Sequence, residues 1–392
     1  MSLKLLQNQL EIMRATLNLF SLFSFFTFGS LIAASTVSAQ LPGSEEIPTQ
    51  SPLVAAIATP TNQFERNFSI MNVRKLSGRI LFSASVEGLE RIFVLDLNAG
   101  KVRTLVDGPS NNSYPTWSPD GKQFVFASDR DGNREIYIAN WDGTNQRRIT
   151  FNKVADDNPT WGKSANEIVF YRDRTQEKDP DSNLISYNIH TGEELTLTNF
   201  RKRNTTPRVS PIDGSIAYST SRFWPGWDVC IWNRQIQKES CPLNGKLSYC
   251  RAAWSPSGKF MAYSVGTLSM IDIGYIKLED GTPTTLTEMS GKEYDPTWSP
   301  DESLIAFVSE AEKEGIFNLY ITDLQKKVTP ILRSNYSIRY PNWSKYTTLE
   351  LEASRIREQE LAEMAAAATP TAAAPALTEP AAPQEPQALL AP

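Results

Sequence analysis

Pro115-Thr116-Trp117-Ser118-Pro119-Asp120-Gly121 returns down the chain, first as Pro159-Thr160-Trp161-Gly162 and then as Pro207-Arg208-Val209-Ser210-Pro211. It recurs as Ala252-Ala253-Trp254-Ser255-Pro256-Ser257-Gly258, as Pro296-Thr297-Trp298-Ser299-Pro300-Asp301, and last as Pro341-Asn342-Trp343-Ser344. The Trp positions lie 44, 48, 45, 44 and 45 residues apart, with Val209 in one of them. A fixed period of this length marks a repeat architecture rather than one irregular domain.

The residues between the Trp positions repeat too. A short strand carries the Trp, and Pro-Asp-Gly then makes a tight turn. A β-rich run follows, as in Phe124-Val125-Phe126-Ala127-Ser128, and then a polar loop, Asp129-Arg130-Asp131-Gly132-Asn133. A third strand, Ile136-Tyr137-Ile138, leads through Asp142-Gly143 to a fourth at Arg147-Arg148-Ile149-Thr150. Four short antiparallel strands per unit predict the blade of a β-propeller, in which each blade buries its faces only against its neighbours. The recurring Trp, Ile and Phe side chains are therefore expected in the core between blades.

Both ends of the array are incomplete. Arg79–Ser83, Arg91–Leu95 and Val102–Leu105 supply three strands without a Trp strand, and residues 338–344 supply a Trp strand alone. Together they make one blade, so the expectation is an all-β, six-bladed propeller over residues 78–346. The C-terminal strand would pair with the N-terminal three, leaving no open edge.

Outside the repeat, Lys4 and Arg14 precede an apolar stretch from Leu17 to Ala34, with small residues up to Ala39. Residues 1–39 read as a secretory signal peptide cut after Ala39, or as an uncleaved anchor helix. Either predicts export, to the periplasm or beyond, or to the outer side of an inner membrane. Residues 40–77 read as a linker and 347–365 as a short helix. Residues 366–392 read as an Ala/Pro-rich disordered tail.

Across 392 residues, 39 Lys plus Arg stand against 44 Asp plus Glu, a net charge of −5. That balance argues against a dedicated nucleic-acid binder. His190 is the one histidine, which removes multi-His metal sites and most His-based acid–base schemes. It falls in the turn Asn188-Ile189-His190-Thr191-Gly192 and reads as a solvated turn residue. Asp129-Arg130-Asp131-Gly132-Asn133 lacks the glycine position and distal acid of a calcium loop, and reads as a turn. Cys230, Cys241 and Cys250 are an odd number for an oxidising compartment. Cys230 and Cys241 fall on the two arms of a hairpin and are the candidate bridge, with Cys241–Cys250 as the alternative.

The Trp-Ser-Pro-Asp-Gly turn, the Ser128–Asn133 loop and the Ile136-Tyr137-Ile138 strand with its Asp142-Gly143-Thr144 turn resemble the repeat of TolB-like propellers, most closely at 114–150 and 294–324. The resemblance implies an envelope protein that binds a protein partner, such as a Pal-like lipoprotein. TolB carries a large α/β domain before its propeller, and the residues between Ala39 and the first strand are too few for one. A stand-alone propeller without a Tol–Pal role is therefore expected. Related propellers precede peptidase domains or act as metal-dependent sugar lyases. This chain has neither a G-x-S-x-G elbow nor the histidine cluster of the lyases.

Propellers bind ligands where the loops after the second strand meet those entering the first. The residues three before each Trp position would ring that mouth: Tyr114, Asn158, Thr206, Arg251, Asp295 and Tyr340. They are polar and mixed in charge, suited to a polypeptide segment, or simply solvated. The loop Ser221-Arg222-Phe223-Trp224-Pro225-Gly226-Trp227 adds Arg222, Phe223, Trp224 and Trp227 as interface anchors, or as a cover over its own blade. The expectation is a non-catalytic, monomeric binding module with no metal or cofactor. It would touch a membrane only if residues 1–39 stay attached. The alternative is an envelope glycan lyase or hydrolase with a metal in the central channel.

Overall fold

The computed structural model describes residues 63–174, 181–200, 202–223 and 226–368. The signal peptide or anchor, the first part of the linker, Trp224 and the tail beyond Ala368 lie outside the described residues. A 3-10 turn at Glu65–Asn67 leads into β1 (Phe68–Ile70). Then come β2 (Arg79–Val86), β3 (Leu89–Asp96) and β4 (Lys101–Val106), followed by β5 (Asn112–Trp117), β6 (Gln123–Ser128), β7 (Glu135–Asn140) and β8 (Arg147–Arg148). The next unit is β9 (Ala155–Trp161), β10 (Glu167–Asp173), β11 (Asp181–Asn188) and β12 (Glu194–Thr196). It is followed by β13 (Lys202–Val209), β14 (Ile216–Thr220), β15 (Asp228–Asn233) and β16 (Lys238–Leu243). After these lie β17 (Ser248–Trp254), β18 (Phe260–Gly266), β19 (Ile271–Lys277) and β20 (Pro283–Thr285). The last are β21 (Glu293–Trp298), β22 (Leu304–Ser309), β23 (Asn318–Asp323), β24 (Val328–Ser334), β25 (Ser337–Ser344) and the helix α1 (Thr348–Ala368).

The fold is an all-β propeller. Consecutive strands pair antiparallel into meanders, and β25 joins β2, β3 and β4 in one sheet. The meanders β9–β12 and β13–β16 share a sheet through a short parallel pairing, Asp181 with Lys202 and Ser182 with Arg203.

Strand alternation fills the space between sheets. Phe124 and Phe126 of β6 pack on Leu81, Ile92 and Val94 of the preceding sheet, while Val125 and Ala127 pack on Trp161, Ile168 and Phe170 of the following one. A strand buried on both faces needs a continuous apolar run, which is what β6 and β22 carry. Similar clusters separate the later sheets, and Ala306, Val308 and Leu319 meet Ile80, Phe82 and Phe93 across the last gap. Trp117, Trp161 and Trp298 are buried in these layers, as expected.

The Pro-Asp-Gly turns have a consistent local cause. Ser118 Oγ donates to Asp120, the Gly121 N–H returns to the Ser118 carbonyl, and Gly121 takes φ +69°. In the repeat at Pro300-Asp301, Glu302 accepts the same left-handed conformation at φ +61°.

Two boundaries differ from expectation. The segment read as a linker is structured over its described end: β1 pairs with the outer strand β24, and Phe64 and Phe68 pack into the core beside Phe82 and Phe93. Phe64 and Phe68 have apolar surface to bury, and the edge of β24 offers unpaired backbone groups. The helix runs to Ala368 rather than 365, because Ala366, Ala367 and Ala368 carry no breaker. Thr347 and Glu350 close a capping box at its start. Leu351 then anchors the helix in the cluster holding Trp117 and Trp141, and Lys122 pairs with Glu358. Among the described residues, no helix is long and apolar enough to cross a membrane.

Candidate functional site

Every inner strand, β13 with Val209 at the Trp position included, carries an irregularity at the same place. The register of β5 on β6 shifts between Ser113 and Thr116, and equivalent shifts occur at β9, β13, β17, β21 and β25. The residues at the shifts are Tyr114, Asn158, Thr206, Arg251, Asp295 and Tyr340, with φ between +52° and +58°. In five cases the next residue is Pro, and in the sixth it is Ala252. Proline has no N–H to give a ladder, so the repeated Pro fits a bulged strand. Left-handed backbone at a side-chain-bearing residue costs on the order of 1 kcal/mol, and it recurs at the same place in six inner strands.

The bulges bring all six residues to one cavity of about 250 Å³. Thr116, Thr160, Arg208, Thr297 and Asn342 also line it. Tyr114 and Tyr340 stack with ring centroids 3.9 Å apart, and the Tyr340 hydroxyl donates to that of Tyr114 at 3.0 Å. Asp295 accepts from Arg251 at 2.5 Å, from Arg339 at 3.4 Å and from the Tyr340 N–H at 3.2 Å. Burial alone would raise the Asp295 carboxyl, but the two guanidinium groups outweigh it and hold the carboxyl below its usual range. Behind Tyr114, Arg134 pairs with Asp157 at 3.0 Å. Burial pushes Asp157 up despite that partner.

Arg208 was not among the expected site residues. Its guanidinium donates to Asn158 Oδ1 at 3.1 Å and to the Pro207 carbonyl at 2.8 Å. The signal for it was present in the repeat. The residue before each Trp position is Thr116, Thr160, Arg208, Ala253, Thr297 or Asn342, so one column holds a single cation among small neutral residues.

The loop after β14 is placed differently. Arg222 turns back on its own sheet, paired with Glu239 at 2.5 Å, bonded to the Tyr218 hydroxyl at 3.1 Å and stacked 4.0 Å over Phe200. Arg130 occupies the corresponding position earlier, on the Ser128 hydroxyl and over Tyr137. Phe223 is 49% exposed, whereas Trp227 is partly buried, its backbone tied to Ser248 and Tyr249. Leu247, Leu268 and Met270, exposed on the loops before β17 and before β19, lie at the same end of their sheets. Cys230 and Cys241 form the disulfide, across β15 and β16, and Cys250 is free. Among the described residues, Cys230, Glu239 and Cys241 form the one group spaced for a metal, and both sulfurs are used in the bridge. His190 lies exposed in its turn, bonded to Asn166.

Inner strands bulged into a polar, charge-paired cavity define a propeller with a lined central site. Residues 61–224 match the family described as the TolB beta propeller domain. The crystal structure of TolB from Acinetobacter baumannii is 17% identical with a TM-score of 0.60, covering 68% of this chain and 66% of that one. Hydrazine synthase of Kuenenia stuttgartiensis is 16% identical with a TM-score of 0.57, covering 69% of this chain and 47% of that one. A chain of the nidogen/laminin complex, 10% identical, has a TM-score of 0.54, with 68% and 98% covered. The chain thus spans less than two thirds of the length of the first two. At these identities the likeness is one of fold. No curated protein sequence matches the chain.

Proposed function

We propose that the chain is an exported, non-catalytic, six-bladed TolB-like propeller that binds a protein or peptide partner in the cell envelope. The six-bladed ring is supported by the pairing of β25 with β2 and by the apolar cluster between the last sheet and the first. The observation that carries the binding reading is the convergence of six left-handed residues on one cavity. Their hydroxyl, amide and charged groups offer donors and acceptors to a polypeptide segment. Phe223, Leu247, Leu268 and Met270 add exposed apolar surface at the end of the sheets where the inner strands begin, while the cavity runs from the bulges toward Pro211, Ser255 and Pro256 at the other end. The lining carboxylate Asp295 is held ionised between two arginines, which suits a structural anion better than a general acid.

The test is site-directed photo-cross-linking in envelope preparations. A benzoylphenylalanine at Ile212, exposed beside the cavity-lining Pro211, should give a discrete protein adduct. The same probe at Leu195, exposed on the outer strand β12, should not. Equal labelling at Leu195, or turnover of an envelope glycan or peptide pool by the purified protein, would overturn the proposal.

A further inference from the structure

We infer that Arg208 is a carboxylate-binding residue, and that the partner segment seated in the cavity presents an acidic side chain or its terminal carboxylate there. The inference rests on the partner-binding reading and adds the chemistry of the contact.

Three observations converge on it. Arg208 lines the cavity with only neutral acceptors on its guanidinium, the Asn158 amide and the Pro207 carbonyl, and forms no ion pair among the described residues. A guanidinium drawn from bulk water without a counter-charge is costly, and its planar fork matches a carboxylate bidentately. Asp295 acts on Arg208 electrostatically but makes its ion pairs elsewhere, so no carboxylate among the described residues sits on the Arg208 fork. Arg251 and Arg339 already share Asp295, and Arg134 is matched by Asp157. The guanidinium groups of Arg134, Arg208, Arg251 and Arg339 thus stand against the carboxyl groups of Asp157, Asp295 and Glu90, an excess of one cation within a chain of net charge −5. Finally, a cavity of about 250 Å³ admits one side chain or a chain end, not a folded surface.

The experiment is calorimetric titration of the full chain at low salt with a hexaglutamate peptide, with hexaglutamine and inorganic phosphate as comparisons. Hexaglutamate should saturate at one site and weaken as salt rises, and hexaglutamine should not bind. Arg208→Gln should weaken hexaglutamate by about ten- to a hundredfold, as expected for a charge-assisted pair, while Arg147→Gln at an exposed position should not. If Arg208→Gln does not fold, Arg208→Lys carries the test. It keeps the charge but loses the fork, so affinity should drop several-fold. Unchanged affinity in the Arg208 variants, or no saturable binding to the native chain, would overturn the inference. Phosphate binding tighter than the peptide would also overturn it, by assigning the site to another oxyanion. A flat titration beside a persistent Ile212 adduct would remove the carboxylate contact alone. Loss of the adduct with the titration intact would remove the protein partner instead.

Discussion

The indole N–H of Trp298 donates to the backbone carbonyl of Ala253 at 3.1 Å, joining two successive inner strands. Trp161 makes the same bond to Thr116, and Trp254 to Arg208. The acceptor is in each case the residue just before the preceding Trp position, so one residue type both fills the inter-sheet layer and ties its strand to the preceding inner strand. Trp343 turns instead to the Ser77 carbonyl, and the buried Trp117 Nε1 has no partner.

That difference sets an expectation for stability. Trp298→Phe should cost about 1–2 kcal/mol, from a lost hydrogen bond and an unsatisfied carbonyl, beyond the loss of ring area. Trp117→Phe should cost less, because no bond is broken. Urea denaturation of the two variants measures the difference, and equal costs would remove the pinning role.

Glu293 is fully buried and bonded to the Thr287 hydroxyl, and burial pushes its carboxyl from 4.5 up to about 7. Between those values the folded chain holds a proton that the unfolded chain has released. This group's contribution to stability therefore falls as the pH rises from about 4.5 to about 7, by roughly 3 kcal/mol at most. Glu293→Gln should flatten that part of a melting-temperature profile. A variant as pH-dependent as the native chain over this range would assign the slope elsewhere.

Asp295 behaves in the opposite sense. Its carboxyl is held below the usual range, so its contribution is present at neutral pH and is lost as acid protonates it in the folded state. Asp295→Asn would leave Arg251 and Arg339 without their shared anion and should destabilise by about 3 kcal/mol at neutral pH. The penalty should shrink in acid, where the native chain has also lost the charge. Chemical denaturation at two pH values checks both statements.

The disulfide closes a separation of 11 residues between Cys230 and Cys241. Its removal by the double Cys→Ser variant should cost about 2–3 kcal/mol through the entropy restored to the unfolded chain. Denatured, unreduced protein should titrate one thiol, from Cys250. A count of three thiols would contradict the bridge.

Most of the architecture was legible because local chemistry enforces it. Pro-Asp-Gly closes a tight turn wherever it occurs, and a run such as Phe124–Ala127 demands burial on both faces. The spacing of the Trp positions therefore determines the antiparallel meanders and the apolar layers between them. That Tyr114, Asn158, Thr206, Arg251, Asp295 and Tyr340 would converge was legible for the same reason, since a fixed offset from each Trp position places one residue on each inner strand, but the cavity they line runs toward the Trp end rather than the loop face. The repeated threonines were legible but not read: Thr150, Thr198 and Thr287 each accept the backbone N–H of Ile136, Leu184 or Ile273 through their hydroxyls.

What the sequence could not determine were relations between residues distant along the chain. Arg222 looked like an interface anchor beside Phe223, but Glu239 and Phe200 lie close enough in space to hold it against its own sheet. Phe68, read as part of a linker, found an apolar layer that β2 and β24 create together. Asp295 took two arginines, one from the preceding repeat and one from the last strand, and Arg208 has no ion-pair partner among the described residues. Charge pairing depends on distances of a few ångströms across strands tens of residues apart, and only the assembled sheets set those distances.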